Sequence, residues 1–310
     1  MSRLAGMSEL APGTDVRGLF MGSGAGLAEP GMAELVVELH GTTAASLELL
    51  YVGTATYDRV EPRARQCRRF AEIGCGVTSL DVATGAPTRS ALEDAIGRAG
   101  ATLVSGGNTL YAVDRWVALG IDDLLRRAIE RGAVVCGGSA GAICWFDGGH
   151  SDPMDPTSYR EPIADDDPGA GDWRYLRVDG LGVLLGLLCP HYEATQSNGV
   201  PRALDFAHML RRHPGETGLG LDSWAGLLVD GERFRVVAPD GHPGSVGAGE
   251  FVDDGSGRPG LWVIESDGSE TRRRLAPPVG TLSDIARPAR SLVADPLLQT
   301  ARAENPLPAA

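Results

Sequence analysis

Apolar and polar positions along the chain fall into short alternating blocks, and the blocks predict strands followed by helices. "RGLFMGSGAG" is an apolar run that stops at spaced glycines, and "AELVVELHGTT" comes next. "SLELLYVGTATYD" reads as a buried strand ending at glycine and threonine. In "RARQCRRFAEIG" the apolar positions Cys67, Phe70 and Ile73 share a helical face, and Gly74 closes the helix. "GVTSLDVA" is a further strand, and "SALEDAIGRAG" a helix with Ser90 suited to the N-cap. "ATLVSGGNTLYAVDRWVALG" gives strand, glycine pair and helix. "IDDLLRRAIERG" is an amphipathic helix with Leu124, Leu125 and Ile129 on its apolar side. "AVVCGGSAGAICWF" then repeats the strand–glycine–helix order. Such alternation predicts an α/β fold, a parallel sheet flanked by helices on both faces.

After residue 147 the pattern changes. Residues 147–176 are polar and rich in Asp, Pro and Gly, which predicts an insertion or active-site loop. Strand-like "GLLCPHYE" leads into helical "PRALDFAHMLRR". "GLGLDSWAGLLVDGERFRVVAP" predicts a hairpin turning at Asp230-Gly231, and "GLWVIESDGSETRRRL" another β pair, so the C-terminal part is β-rich. The expected organisation is a loose leader over 1–15, a single α/β domain over 16–276, and a tail or peripheral extension over 277–310.

Composition narrows the function classes. The 310-residue chain has 28 basic and 41 acidic residues, a formal net charge of −13. No basic stripe is present to neutralise phosphates, which argues against nucleic-acid binding. An anionic substrate would need a local cation in its pocket. The five cysteines (Cys67, Cys75, Cys136, Cys144, Cys189) form no metal-type pairing and are expected to be reduced and mostly buried. No apolar run is long enough to span a bilayer, so a cytoplasmic protein without a membrane partner is expected. No metal or organic cofactor is implied, and a homodimer is an open assembly.

The chemistry concentrates at the glycine-rich turns. "GGSAG" fits G-x-S-x-G, with Ser139 between a strand and a helix start. A serine hydroxyl attacks only when a base takes its proton, and a sharp strand-to-helix turn lifts the oxygen out of the sheet. The alternative is a plain turn whose serine caps the helix. The amide of Ala140 would face a developing oxyanion, and "SGGNT" at 105–109 could bring a second amide beside it. His191, at the end of an apolar run, is the expected base. His150 is an alternative, whereas His40, His208, His213 and His242 read as solvated surface. Asp147, Asp152, Asp155 and Glu193 are all candidates for the acid that orients the histidine.

"SGGNTLYAVDRW", "GGSAGAICWF" and "CPHY", in that order, resemble the peptidase family of dipeptidase E (aspartyl dipeptidase, peptidase family S51), over roughly residues 15–240. The resemblance implies a class I glutamine amidotransferase-like fold, a flavodoxin-like three-layer arrangement. It further implies Ser139 as nucleophile, His191 as the histidine, and Gly107 and Ala140 as the oxyanion hole. "S-D-P-M" is similar to the family's acid stretch, which implies Asp152 as the acid and leaves Asp155 open. Arg202 would read a substrate carboxylate, and Asn108 is counted with it as substrate-binding. The expected function is a serine exopeptidase acting on short peptides, among them dipeptides that begin with Asp. Two alternatives stand beside it: cyanophycinase-like cleavage of β-Asp-Arg units, and a catalytically silent ligand-binding module.

Overall fold

The computed structural model describes residues 10–155, 173–242, 259–289 and 294–308. Its first half follows the predicted alternation: β1 (Arg17–Met21), α1 (Met32–His40), β2 (Glu48–Val52), α2 (Val60–Glu72), β3 (Gly76–Leu80), α3 (Arg89–Arg98), β4 (Ala101–Val104), α4 (Thr109–Leu119), α5 (Ile121–Glu130), β5 (Val134–Gly138) and the short α6 (Ala140–Ile143). β1, β5, β4, β2 and β3 lie parallel in that order. The central strands have apolar residues at nearly every position because both faces are covered. Leu19, Met21, Leu49, Tyr51, Leu103 and Cys136 face the layer of α1 and α2. Their neighbours Phe20, Leu50, Val52, Val104 and Val135 face the opposite core with Trp116, Leu124 and Ile129.

The second half is more than a β-rich appendix. It comprises β6 (Phe146–Ser151), β7 (Leu176–Asp179), β8 (Leu184–Pro190), α7 (Arg202–Arg212), β9 (Gly218–Leu221), β10 (Gly226–Asp230), β11 (Arg233–Val237), β12 (Leu261–Ser266), β13 (Thr271–Leu275), β14 (Val279–Thr281), α8 (Leu282–Ile285) and α9 (Leu298–Glu304). β10 and β11 form the predicted hairpin. With β14 they extend the parallel sheet antiparallel at the β1 edge, to eight strands among the described residues.

The other strands form a separate six-stranded sheet, ordered β13-β12-β9-β8-β6-β7. One face of this second sheet shares the core with the first, through Phe146, Val178, Leu188, Leu221 and Val263. Its other face packs on α7 through Tyr175, Cys189, Phe206, Met209 and Trp262.

Local expectations are corrected at several points. Thr88, not Ser90, caps α3, its hydroxyl accepting from the Ala91 amide at 3.2 Å. The polar stretch after 147 begins as a buried strand, while 156–172 of it fall outside the described residues, as do residues 1–9 of the expected leader. His213 is buried rather than solvated. Beyond residue 277, β14 pairs with β11, and Leu298 and Ala301 of α9 lie in the core between the sheets. All five cysteines are buried and none is paired in a disulfide. No helix among the described residues is long and apolar enough to cross a membrane.

Candidate active site

Ser139 occupies a turn that only glycine neighbours permit. Its own φ of 57° and ψ of −124° are unusual for a residue with a side chain. A Cβ on Gly137 would stand 2.3 Å from the Gly141 carbonyl oxygen, and one on Gly141 would stand 2.2 Å from the Val104 carbonyl oxygen. A Cβ on Gly138 would meet the Gly24 backbone at 2.6 Å. The strand end is therefore wedged between the loops that follow β1 and β4. The Ser139 amide donates to the Met21 carbonyl at 3.1 Å, and the Ile143 amide donates to the Ser139 carbonyl at 3.1 Å. Together these bonds fix where the side chain points.

The loop after β4 reaches the same place. An added Cβ on Gly106 would lie 3.6 Å from the Ser139 Cβ. Gly107 has a φ of +113°, and a Cβ there would lie 2.2 Å from the Ala55 carbonyl oxygen. Ala140 opens α6 directly after Ser139, so the backbone of both expected oxyanion-hole residues stands beside the serine. Asn108 does not reach the cleft. It is buried, its Oδ1 accepts from the Tyr111 amide at 3.0 Å as the N-cap of α4, and its Nδ2 points away to Asn305.

His191 follows the last residue of β8 and also has positive φ, 49°. Its Nε2 lies 3.0 Å from the Ser139 Oγ, and its Nδ1 lies 3.1 Å from the Ser223 Oγ. Burial of the ring, and next the charge of Arg202, pull its pKa down to about 4 against a smaller upward pull from Asp152. The imidazole is thus neutral near pH 7, with one ring nitrogen a donor and the other an acceptor.

The expected acid is not the partner of Nδ1. Ser223 takes that position, and the Ser223 amide donates to both carboxylate oxygens of Glu193, at 3.2 and 3.0 Å. Asp152 pairs instead with Arg202, Oδ2 to Nη1 at 3.3 Å. Asp155 lines the cleft one turn further on. Asp147 accepts from the Gly186 amide at 2.8 Å, away from the serine.

Arg202 differs from expectation as well. It is neither a surface arginine nor part of the cleft lining. At 1% exposure it lies behind Asp152, with Nη1 also donating to Gln196 Oε1 at 2.7 Å and Nη2 to the His150 carbonyl at 2.7 Å. Its guanidinium stacks over Tyr175, 4.8 Å from the ring centroid. His150 is fully buried and bonded to Asp205 at 2.9 Å, which removes it as an alternative base for Ser139.

The serine and histidine open into a cleft of about 400 Å³ lined by Ser23, Arg65, Gln66, Asp155 and Gln196 among others. Among the described residues, Arg65, on α2, is the arginine in this lining. Arg65 and Ser223 are not among the residues expected at the site. Ser223 carries no local signal, because its place follows from β9 running parallel to β8, with Leu221 opposite Pro190. No group of His, Cys, Asp and Glu suited to a metal ion occurs among the described residues.

Residues 19–237 match the model of peptidase family S51. The chain belongs to this family. The S51 match includes Ser139, His191, Glu193 and Ser223, and ends before β12. Two curated relatives are similar to it. A Trypanosoma brucei brucei protein named G2/mitotic-specific cyclin-1 is 30% identical over 223 residues, covering 63% of this chain and 64% of that protein. Uncharacterized peptidase YgaJ of Bacillus subtilis (strain 168) is 29% identical over 191 residues, 61% of this chain and 73% of YgaJ. The S51 chain thus spans somewhat less than two thirds of the first relative's length.

Two solved structures share the fold. A putative peptidase E protein from Listeria monocytogenes EGD-e has a TM-score of 0.52 at 16% identity, over 72% of this chain and 98% of that one. A peptidase from an acI-B1 Actinobacterium has a TM-score of 0.57 at 16% identity, over 87% and 98%.

Proposed function

We propose that this S51 member is a serine exopeptidase that hydrolyses short peptides through an acyl-enzyme on Ser139. The observation that carries the reading is the 3.0 Å contact between Ser139 Oγ, on a strained elbow, and His191 Nε2. With Nδ1 protonated and donating to Ser223, Nε2 holds the lone pair that a general base needs. Ser139 Oγ attacks the scissile carbonyl carbon as its proton passes to Nε2. The C–O bond forms, and the carbonyl π electrons move onto oxygen. The Gly107 and Ala140 amides receive that oxyanion.

Collapse of the intermediate breaks the C–N bond, and the imidazolium gives its proton to the leaving amine. Water then repeats the cycle on the ester, with His191 again as base, releasing the acid and Ser139. Ser223 holds the tautomer and ring plane of His191, and Glu193 holds Ser223. The small cleft supports a short substrate, and Arg65 on its wall supports one that carries a carboxylate. Five buried cysteines without a disulfide suit the reducing cytoplasm.

The test is a dipeptide library run beside fluorophosphonate labelling. Wild-type protein should label and turn over, while Ser139→Ala should lose labelling and at least about 10³-fold in turnover with its melting temperature kept. Wild-type turnover in Ser139→Ala would overturn the reading.

A further inference from the structure

α9 lies outside the family match, yet its last turn touches two loops of the cleft. Asn305, just after α9, is buried at 6% exposure. Asn108 spends its Oδ1 on the Tyr111 amide, so only its Nδ2 can face outward. That Nδ2 donates to Asn305 Oδ1 at 2.8 Å, and the Tyr57 hydroxyl donates to the same oxygen at 3.4 Å. Asn305 Nδ2 must then point the other way, where it donates to the Pro153 carbonyl at 2.9 Å and the Ala301 carbonyl at 2.8 Å.

One side-chain amide therefore ties the residue after Gly107 to the residue after Asp152. The first loop follows β4 of the eight-stranded sheet, and the second follows β6 of the six-stranded sheet. The helix carrying the amide is itself held. Arg302 Nε donates to Asp114 Oδ2 at 2.8 Å, the Arg177 amide donates to Asp295 at 3.4 Å, and Leu298 and Ala301 are buried in the core.

We propose that Asn305 is a positioning residue for hydrolysis, clasping the oxyanion-hole loop to the Asp152 loop across the two sheets. The inference rests on the peptidase reading. It assigns the C-terminal segment a part in catalysis by Ser139. Without the amide, Asn108 keeps its bonds to the Tyr57 hydroxyl, the Tyr111 amide and the Ala55 carbonyl. The Gly107 loop nevertheless loses its tie to the Asp152 loop, and the position an oxyanion would occupy is set less firmly against that side of the cleft. Misplacement of that order costs rate rather than ground-state binding.

The experiment compares Asn305→Ala, Asn305→Ser, Asn305→Asp and Leu298→Ala in the full chain. The readouts are kcat, KM, the rate of fluorophosphonate labelling at Ser139, and Tm. Leu298→Ala loosens the same helix while leaving the Asn305 amide in place. Asn305→Asp keeps the acceptor facing Asn108 but sets an anion against two carbonyls. All three Asn305 variants should lose about tenfold in kcat and in labelling rate, with KM within about threefold. Leu298→Ala should lose at least as much Tm and keep near-wild-type rates.

If Asn305→Ala folds poorly, Asn305→Ser carries the same comparison. Wild-type kcat and labelling in the Asn305 variants, or equal rate losses in Leu298→Ala, would overturn the proposal while leaving the peptidase reading standing. A wild-type protein that neither labels nor hydrolyses any dipeptide would remove both.

Discussion

The two walls of the cleft are built by different means. On the nucleophile side, position is set by backbone packed on backbone: Gly137, Gly138 and Gly141 lie where any Cβ would strike a neighbouring main chain. On the opposite side, position is set by side chains from distant parts of the sequence. Arg202 gathers Asp152, Gln196 and the His150 carbonyl, and Ser223 meets His191 across a strand pairing. The two walls therefore tolerate change differently. A wall made of backbone has no room to relax, whereas a wall made of side chains fails only when a charge or a donor is left alone.

The largest expected effect therefore lies on the glycine side. Gly141→Ala should destabilise the protein by about 3 kcal/mol or more and abolish labelling of Ser139, because the new methyl meets the Val104 and Ser105 carbonyls, which cannot rotate away. Gly97→Ala, in α3 with nothing within 4 Å, is the matched control and should gain up to about 1 kcal/mol. Thermal melts of the pair settle the point. Equal Tm values would break the contrast.

Next comes Arg202→Met. It leaves the largely buried Asp152 carboxylate without its cation and should cost about 3 kcal/mol. The preference between Asp-Leu and Ala-Leu should survive it, since the guanidinium does not line the cleft. A selective loss of Asp-Leu cleavage at unchanged Tm would return Arg202 to the substrate.

The smallest effect is expected at Ser223→Ala, which removes one neutral hydrogen bond and should lower kcat/KM about tenfold. The pH profile of this variant should match that of the wild type. Burial is the main cause that holds His191 at about 4, so the neutral base persists above that pH, and activity is lost only as pH falls through it. The acid limb should stay near pH 4 in wild type and variant alike. A wild-type limb near the ordinary histidine value of about 6.5 would contradict the burial argument.

The same contrast explains what could be read from the sequence. The strand–helix alternation, the elbow at Ser139 and the strand-end His191 are local patterns, and each is present in the fold. Their constraints act over a few residues, so glycine and apolar spacing record them. Ser223 became a neighbour of His191 only through the β8–β9 register, which no window of sequence contains. Asp152 is singled out only by the resemblance of its S-D-P-M stretch, and its carboxylate is paired with Arg202, fifty residues on. Asn108 and Asn305 are 197 residues apart, and their bond depends on the whole second half being folded. The second sheet was hidden for the same reason. Most of β6 and the start of β7 lie in the stretch expected to be a loop, β8 reads as a single strand, and β12–β13 as a separate pair. Only the parallel pairing of β6, β8 and β9 joins them.

Ser139 follows a strand of the eight-stranded sheet, and His191 follows a strand of the six-stranded one. Their 3.0 Å contact therefore works as a gauge across a seam. A slip of about one ångström between the sheets would leave every strand ladder intact and yet carry the pair beyond hydrogen-bonding reach. Catalysis, on this arrangement, fails before the fold does, and loss of turnover becomes the most sensitive report on how the two halves are aligned.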